Sequence, residues 1–212
     1  MTLPHKYPTE RPRSAPRARH ARKMGVDANE RLTASTALVL LILLAIEGVT
    51  VLAVRPLLTM HVFVGMLLVP PVLVKLSSTV WRFAKYYRGS PDYRAKGPPP
   101  TVLRVLGPFV ALLTIVLFAS GIVLVWGPAS MRSQLLLIHR ASFFLWFVFM
   151  TVHVLGHLGD TARQATKDWT SRTRSVVMGS SRRQALLVAS LVIGLILAFV
   201  TVPHVGIWTT GH

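Results

Sequence analysis

Five long apolar stretches, parted by polar or proline-bearing joints, set the pattern of the chain: about residues 36–54, 57–80, 102–125, 135–158 and 185–202. At about 1.5 Å per residue, each is long enough to cross a hydrocarbon layer about 30 Å thick as a helix. The pattern predicts an all-α fold, a polytopic membrane helix bundle. Residues 1–35 are polar and basic, with Pro4, Pro8, Pro12 and Pro16 at regular spacing and no apolar period to pack; they predict a disordered cytoplasmic arm. Residues 203–212 form a short tail, whose His204 and His212 are expected to be solvated. The first apolar run ends in Ala53-Val54-Arg55-Pro56, which offers no small-residue cleavage site, so it is expected to remain in the membrane rather than act as a signal peptide.

Composition agrees with the pattern. Of 212 residues, 52% are hydrophobic and 15% charged, a balance that suits a membrane protein better than a soluble domain. The net charge of +17 invites a nucleic-acid partner, but the cations stand where topology places them. Lys6, Arg11, Arg13, Arg17, Arg19, Arg22, Lys23 and Arg31 precede the first segment; Arg82, Lys85, Arg88, Arg94 and Lys96 follow the second. Arg163, Lys167, Arg172, Arg174, Arg182 and Arg183 follow the fourth. In a five-span chain those regions share one side, and the opposite joints hold only Arg55 and Arg132, with Arg140 just inside the fourth segment. The positive-inside rule then predicts a multi-pass protein of the cell membrane, with a cytoplasmic N-terminus and an extracytoplasmic C-terminus. Membrane lipids with anionic headgroups account for the charge without nucleic acid. The absence of cysteine excludes disulfides, thiolate ligands, iron–sulfur clusters and thioether-bound haem.

The candidate chemistry lies in ionisable groups inside apolar runs, where retention without function is costly. The fourth segment carries His139, His153 and His157. Fourteen residues separate the first two, which leaves them within roughly 40° of one helix face and roughly 21 Å apart, one toward each membrane surface. His157 shares that stripe. In the second segment, His61 enters at a depth comparable to His139, Gly65 follows one turn later, and Pro70-Pro71 predicts a kink at mid-membrane. Gly65 is open to two uses: approach of a flat cofactor, or close helix packing. Lys75 stands fourteen residues after His61; snorkelling to the headgroups is its favoured fate, beside ligation as a neutral amine or contact with an anionic group. Glu47 in the first segment is either a functional carboxylate or a helix–helix hydrogen-bonding group.

Haem b takes two axial nitrogen donors on opposite faces of the porphyrin, and two helices can supply one each at equal depth. His61 and His139 meet that demand, and Arg55 and Arg140 are close enough in sequence to neutralise propionates or to contact headgroups. His153-Val154-Leu155-Gly156-His157 also has a metal-binding spacing, but Val154 stands where a zinc protease needs its glutamate.

The paired helices with an H-x13-H spacing resemble the transmembrane di-haem cytochrome b superfamily, which includes respiratory cytochrome b and the membrane subunits of formate dehydrogenase and nickel–iron hydrogenase. The resemblance covers segments one to four and implies a four-helix cytochrome b-like core with a fifth transmembrane helix added. It implies that His61 and His139 ligate an outer haem and His153 an inner one, with His157 as a substitute ligand or a quinone contact. Lys75 occupies the fourth ligand position of the pattern. One haem b is therefore expected, and the second stays open.

The expected function is electron transfer between the quinone pool and an extracytoplasmic or membrane redox partner, as a non-catalytic subunit of an oxidoreductase. Glu47 would then accept a quinol proton or orient an axial imidazole. Two rivals are a haem-free scaffold or assembly protein and a proton-coupled transporter that uses Glu47, Lys75 and His153.

Overall fold

The structure is a computed structural model and describes residues 36–37, 39–95, 101–170 and 180–206. The N-terminal arm, the joint at 96–100, the basic stretch at 171–179 and the last six residues of the tail lie outside the described residues. Among the described residues all regular structure is helical. Helix α1 covers Val39–Leu52. It is followed by α2 (Leu58–Tyr87), the short α3 (Pro91–Ala95), α4 (Thr101–Trp126), α5 (Arg132–Thr170) and α6 (Ser180–Thr201). Single 3-10 turns, Ala129–Met131 and Val202–Val205, precede α5 and follow α6.

Four stretches are long and apolar enough to cross a membrane: Leu58–Tyr87, Arg104–Trp126, Ala129–Gly156 and Gln184–Val205. They correspond to segments two to five of the sequence pattern. The first segment is helical over Val39–Leu52, and Thr36 and Ala37 before it are helical too; residue 38 and those before 36 lie outside the described residues. Helix α2 is continuous from Leu58 to Tyr87, with both prolines of the expected kink, Pro70 and Pro71, inside it.

Two helix pairs make the bundle. Helix α2 packs along α6, and α4 along α5, whereas α2 meets α4 at few positions and α5 scarcely at all. Side-chain contacts fix the directions. Arg104 at the start of α4 donates to the Tyr87 hydroxyl at the end of α2, so those helices are antiparallel. Trp126 at the end of α4 lies against His204 just past α6, ring centres 4.0 Å apart, so α4 and α6 end together. The starts of α2 and α5 and the ends of α4 and α6 therefore share one end of the bundle. Helix α1 lies on α2: Leu40 joins Val64, Leu68 and Val72 in the buried cluster, with Leu43 and Leu44 of α1 and Phe118 of α4 packed around it.

The distribution of burial is that of a lipid-solvated bundle. Leu52, Leu137, Phe144 and Phe199 are exposed, as are most large apolar side chains on α4 to α6, while Thr36, Thr50, Thr114, Ser120, Ser142, Ser190 and Thr201 are buried. In water this arrangement would be inside out. In lipid, where apolar burial gives no drive, helices associate through close packing and small polar side chains. Several of the buried hydroxyls donate to a carbonyl of their own helix, Thr114 to Val110 at 2.7 Å and Thr201 to Leu197 at 2.7 Å, so these hydroxyls do not meet hydrocarbon unsatisfied. Trp146 of α5 donates its indole N–H to Thr114 of α4 at 2.9 Å and locks that pair.

The α2/α6 pair has a related device. Pro71 lacks the N–H that would bond the Leu67 carbonyl four residues earlier. Gly194 of α6 packs on that carbonyl so closely that a Cβ at 194 would fall within the oxygen's van der Waals shell. The proline frees an acceptor, and a glycine Cα–H covers it.

Candidate functional site

The site begins at the helix end shared by α2 and α5. His61 lies in the first turn of α2 and His139 in the second turn of α5. Their backbones do not pack, yet the two imidazoles face each other across the gap, ring centres 6.3 Å apart and planes inclined by 77°. The two histidines singled out from spacing are thus brought together.

Each ring is held by its Nδ1. On His61, Nδ1 lies 2.8 Å from Oε1 of Glu47 on α1, with the His61 and Glu47 side chains 20% and 15% exposed. The hydroxyl of Thr50, one turn after Glu47, lies 3.1 Å from the same Nδ1 and 3.2 Å from Oε2 of the carboxylate, and donates to the Glu47 carbonyl at 2.6 Å. On His139, Nδ1 lies 3.1 Å from the Leu117 carbonyl oxygen and 3.0 Å from the Ser120 hydroxyl, both on α4. The Ser120 hydroxyl itself donates to Leu117 O at 2.9 Å. A carbonyl only accepts, so Nδ1 of His139 carries the hydrogen; the Glu47 carboxylate selects the same tautomer on His61. In both rings the lone pair is therefore on Nε2.

Two glycines shape the surroundings. A Cβ on Gly121 would come within 3.2 Å of Cε1 and 3.6 Å of Nδ1 of His139, so the ring edge that bonds Ser120 and Leu117 rests on bare backbone. Gly65, a candidate for cofactor approach, instead faces α1: the atom nearest to an added Cβ is Oε1 of Glu47, at 3.5 Å. That distance is an ordinary van der Waals contact, so Gly65 stands where α2 packs against α1.

The remaining candidates do not converge on this pair. Arg55 and Arg140 are exposed near the same end. Lys75 and His153 are half-buried on α2 and α5, farther along those helices. Lys75 also sits in a run of hydroxyls, since Ser78 and Thr79 both donate to its carbonyl at 2.9 Å. The side chain of His157 lies outside the described residues, as does His212. His204, expected to be solvated, is instead stacked on Trp126 with Nδ1 shielded from solvent.

Thr50, Ser120, Gly121 and the Leu117 carbonyl are the functional groups that spacing alone passed over. Their only signal in the sequence is local: Thr50 follows Glu47 by one turn, and Ser120-Gly121 interrupts an apolar helix that has no histidine of its own.

Among the described residues no three histidine, cysteine, aspartate or glutamate side chains come together as a metal-holding group. A bare ion such as zinc, which takes about four ligands, finds too few donors here. A haem, by contrast, would need only two imidazoles from the protein, which His61 and His139 could supply. With metal–nitrogen bonds of about 2.0–2.1 Å and each ring centre about 1.1 Å behind its nitrogen, opposed rings on one metal have centres about 6.3 Å apart. The observed 6.3 Å fits. The fixed tautomers and the separated backbones of α2 and α5 fit as well.

Comparison with protein-family models, with curated proteins and with solved structures finds no match to this chain.

Proposed function

We propose that the chain is a haem b-binding integral membrane electron-transfer protein, with His61 and His139 as axial ligands. The observation that carries this reading is the facing of two imidazoles from separate helices at 6.3 Å, each fixed through Nδ1 so that Nε2 is the donor. A structural histidine in a membrane bundle needs one hydrogen-bonding neighbour. Here two rings from helices whose backbones scarcely approach stand 6.3 Å apart.

A bound haem would supply a one-electron couple that takes and passes on electrons. The chain's own groups do the rest. Glu47 and Thr50 orient His61, and Leu117, Ser120 and Gly121 orient His139. Arg55 and Arg140, exposed near that end of the bundle, would be the cations to meet propionates. In the membrane orientation read from the cationic residues, that end is extracytoplasmic, which suits exchange of electrons between the quinone pool and a redox partner outside. In the same reading Lys75 and His153 stand toward the cytoplasmic leaflet, where a second haem would have to accept lysine as a ligand.

Purified protein in detergent tests the assignment. A Soret band and sharp reduced bands of six-coordinate haem b are expected, and each of His61→Ala and His139→Ala should remove at least nine-tenths of the low-spin signal, by an order-of-magnitude expectation of about tenfold or more for loss of an axial ligand. Spectra unchanged by both substitutions would overturn it.

A further inference from the structure

The two rings at this site are not held alike. His139 is anchored by neutral acceptors, the Leu117 carbonyl at 3.1 Å and the Ser120 hydroxyl at 3.0 Å. His61 is anchored by a carboxylate oxygen at 2.8 Å. Among the described residues no lysine or arginine pairs with Glu47, so its charge is directed at the imidazole. The carboxylate is built into place rather than casually near: Glu47 is 15% exposed, and the Thr50 hydroxyl, 1% exposed, lies 3.1 Å from Nδ1 of His61 and 3.2 Å from Oε2.

We propose that Glu47 is a positioning residue that makes His61 the stronger electron donor of the two ligands and so biases iron held between them toward the ferric state. The inference rests on the haem reading above and assigns the control of its potential. A charge-assisted hydrogen bond is roughly twice as strong as a neutral one. By drawing the Nδ1 hydrogen, the carboxylate raises the basicity of Nε2, which favours the more positive iron. Its negative charge in a medium of low dielectric constant acts in the same direction. The reaction weighed is addition of one electron to ferric haem, supplied by dithionite through redox mediators, with no proton transferred.

The test is potentiometric titration of the full chain in detergent, wild type against Glu47→Gln, Glu47→Asp, Thr50→Val and Ser120→Ala. Glu47→Gln keeps an acceptor for Nδ1 but removes the charge. It should raise the ferrous-to-ferric ratio at a given potential at least tenfold, a rise of about 59 mV in midpoint for a one-electron couple. Glu47→Asp should restore part of the shift, and Ser120→Ala should move the midpoint less than Glu47→Gln, because Leu117 still accepts. An unshifted midpoint in Glu47→Gln with an unchanged low-spin spectrum overturns the proposal, as does a larger shift in Ser120→Ala. Should Glu47→Gln lose haem, Glu47→Asp and Thr50→Val decide: an upward shift in either supports the proposal, and none in both overturns it. Wild-type protein without a Soret band overturns the haem reading itself, and this inference with it, a result distinct from an unshifted midpoint.

Discussion

Nδ1 of His61 and Oε1 of Glu47 lie 2.8 Å apart, a hydrogen bond that joins α2 to α1. It shows what the shorter first helix contributes. Helix α1 supplies the group that fixes the tautomer and heading of a histidine in the neighbouring helix, and packing of Leu40 against Val64 and Leu68 keeps that group in register. The fixed rings and bare glycines around them lead to the following outcomes.

Gly121 should not tolerate a side chain. A Cβ there meets Cε1 of His139 at 3.2 Å, and the ring is already tied to Ser120 and Leu117, so it has little freedom to withdraw. Gly121→Ala should lower haem occupancy and Gly121→Leu should abolish it, by absorbance per chain, while the far-ultraviolet helix signal stays at the wild-type level. Full occupancy in Gly121→Leu would show that His139 is not held where the ligand must be.

Gly194→Ala should weaken the α2/α6 contact without touching the histidines. The new methyl would overlap the Leu67 carbonyl, and overpacking of this kind costs about 1–3 kcal/mol. Thermal unfolding in detergent should show a lower Tm with an unchanged absorbance spectrum. An unaltered Tm would contradict the close approach.

Trp146→Phe removes the indole donor to Thr114 and leaves the α4/α5 pair otherwise intact. Side-chain hydrogen bonds between membrane helices average about 0.6 kcal/mol and reach about 1.7, so a modest loss of Tm is expected. The Soret band should not move, because Trp146 lies about two turns along α5 from His139. A lost Soret band would mean that the pair positions the ligand as well.

Lys75→His restores the fourth histidine of the H-x13-H pattern. With an inner pocket present, haem per chain should rise from about one toward about two, the number that two pairs of axial histidines can hold. An unchanged ratio would show that the bundle has a single haem position.

The helical bundle was legible from the apolar runs because lipid imposes a simple rule, about twenty apolar residues per crossing. Segments two to five appear as helices, with α2 and α5 running on past the apolar stretches to Tyr87 and Thr170. The first was harder to bound, since the polar arm and Arg55-Pro56 crowd it at both ends; its described residues, Thr36, Ala37 and Val39–Leu52, are helical. The meeting of His61 with His139 was legible too, because depth in a membrane follows from position in a span. What spacing could not reveal was the support. Which way Gly65 and Gly121 face depends on helix rotation, and that is set by packing; Gly65 turned to Glu47, while Gly121 turned to His139. The Leu117 carbonyl has no side-chain signature at all. The stacking of His204 on Trp126 was hidden for the same reason, since it needs α4 and α6 to end side by side.

The most direct measurement is a pyridine haemochrome assay on purified wild-type chain beside the His61→Ala/His139→Ala double variant. The account predicts haem b at a ratio near unity in the wild type and none above background in the variant. Wild-type protein free of haem after expression with ample haem supply, or a variant that binds as much as wild type, would contradict it.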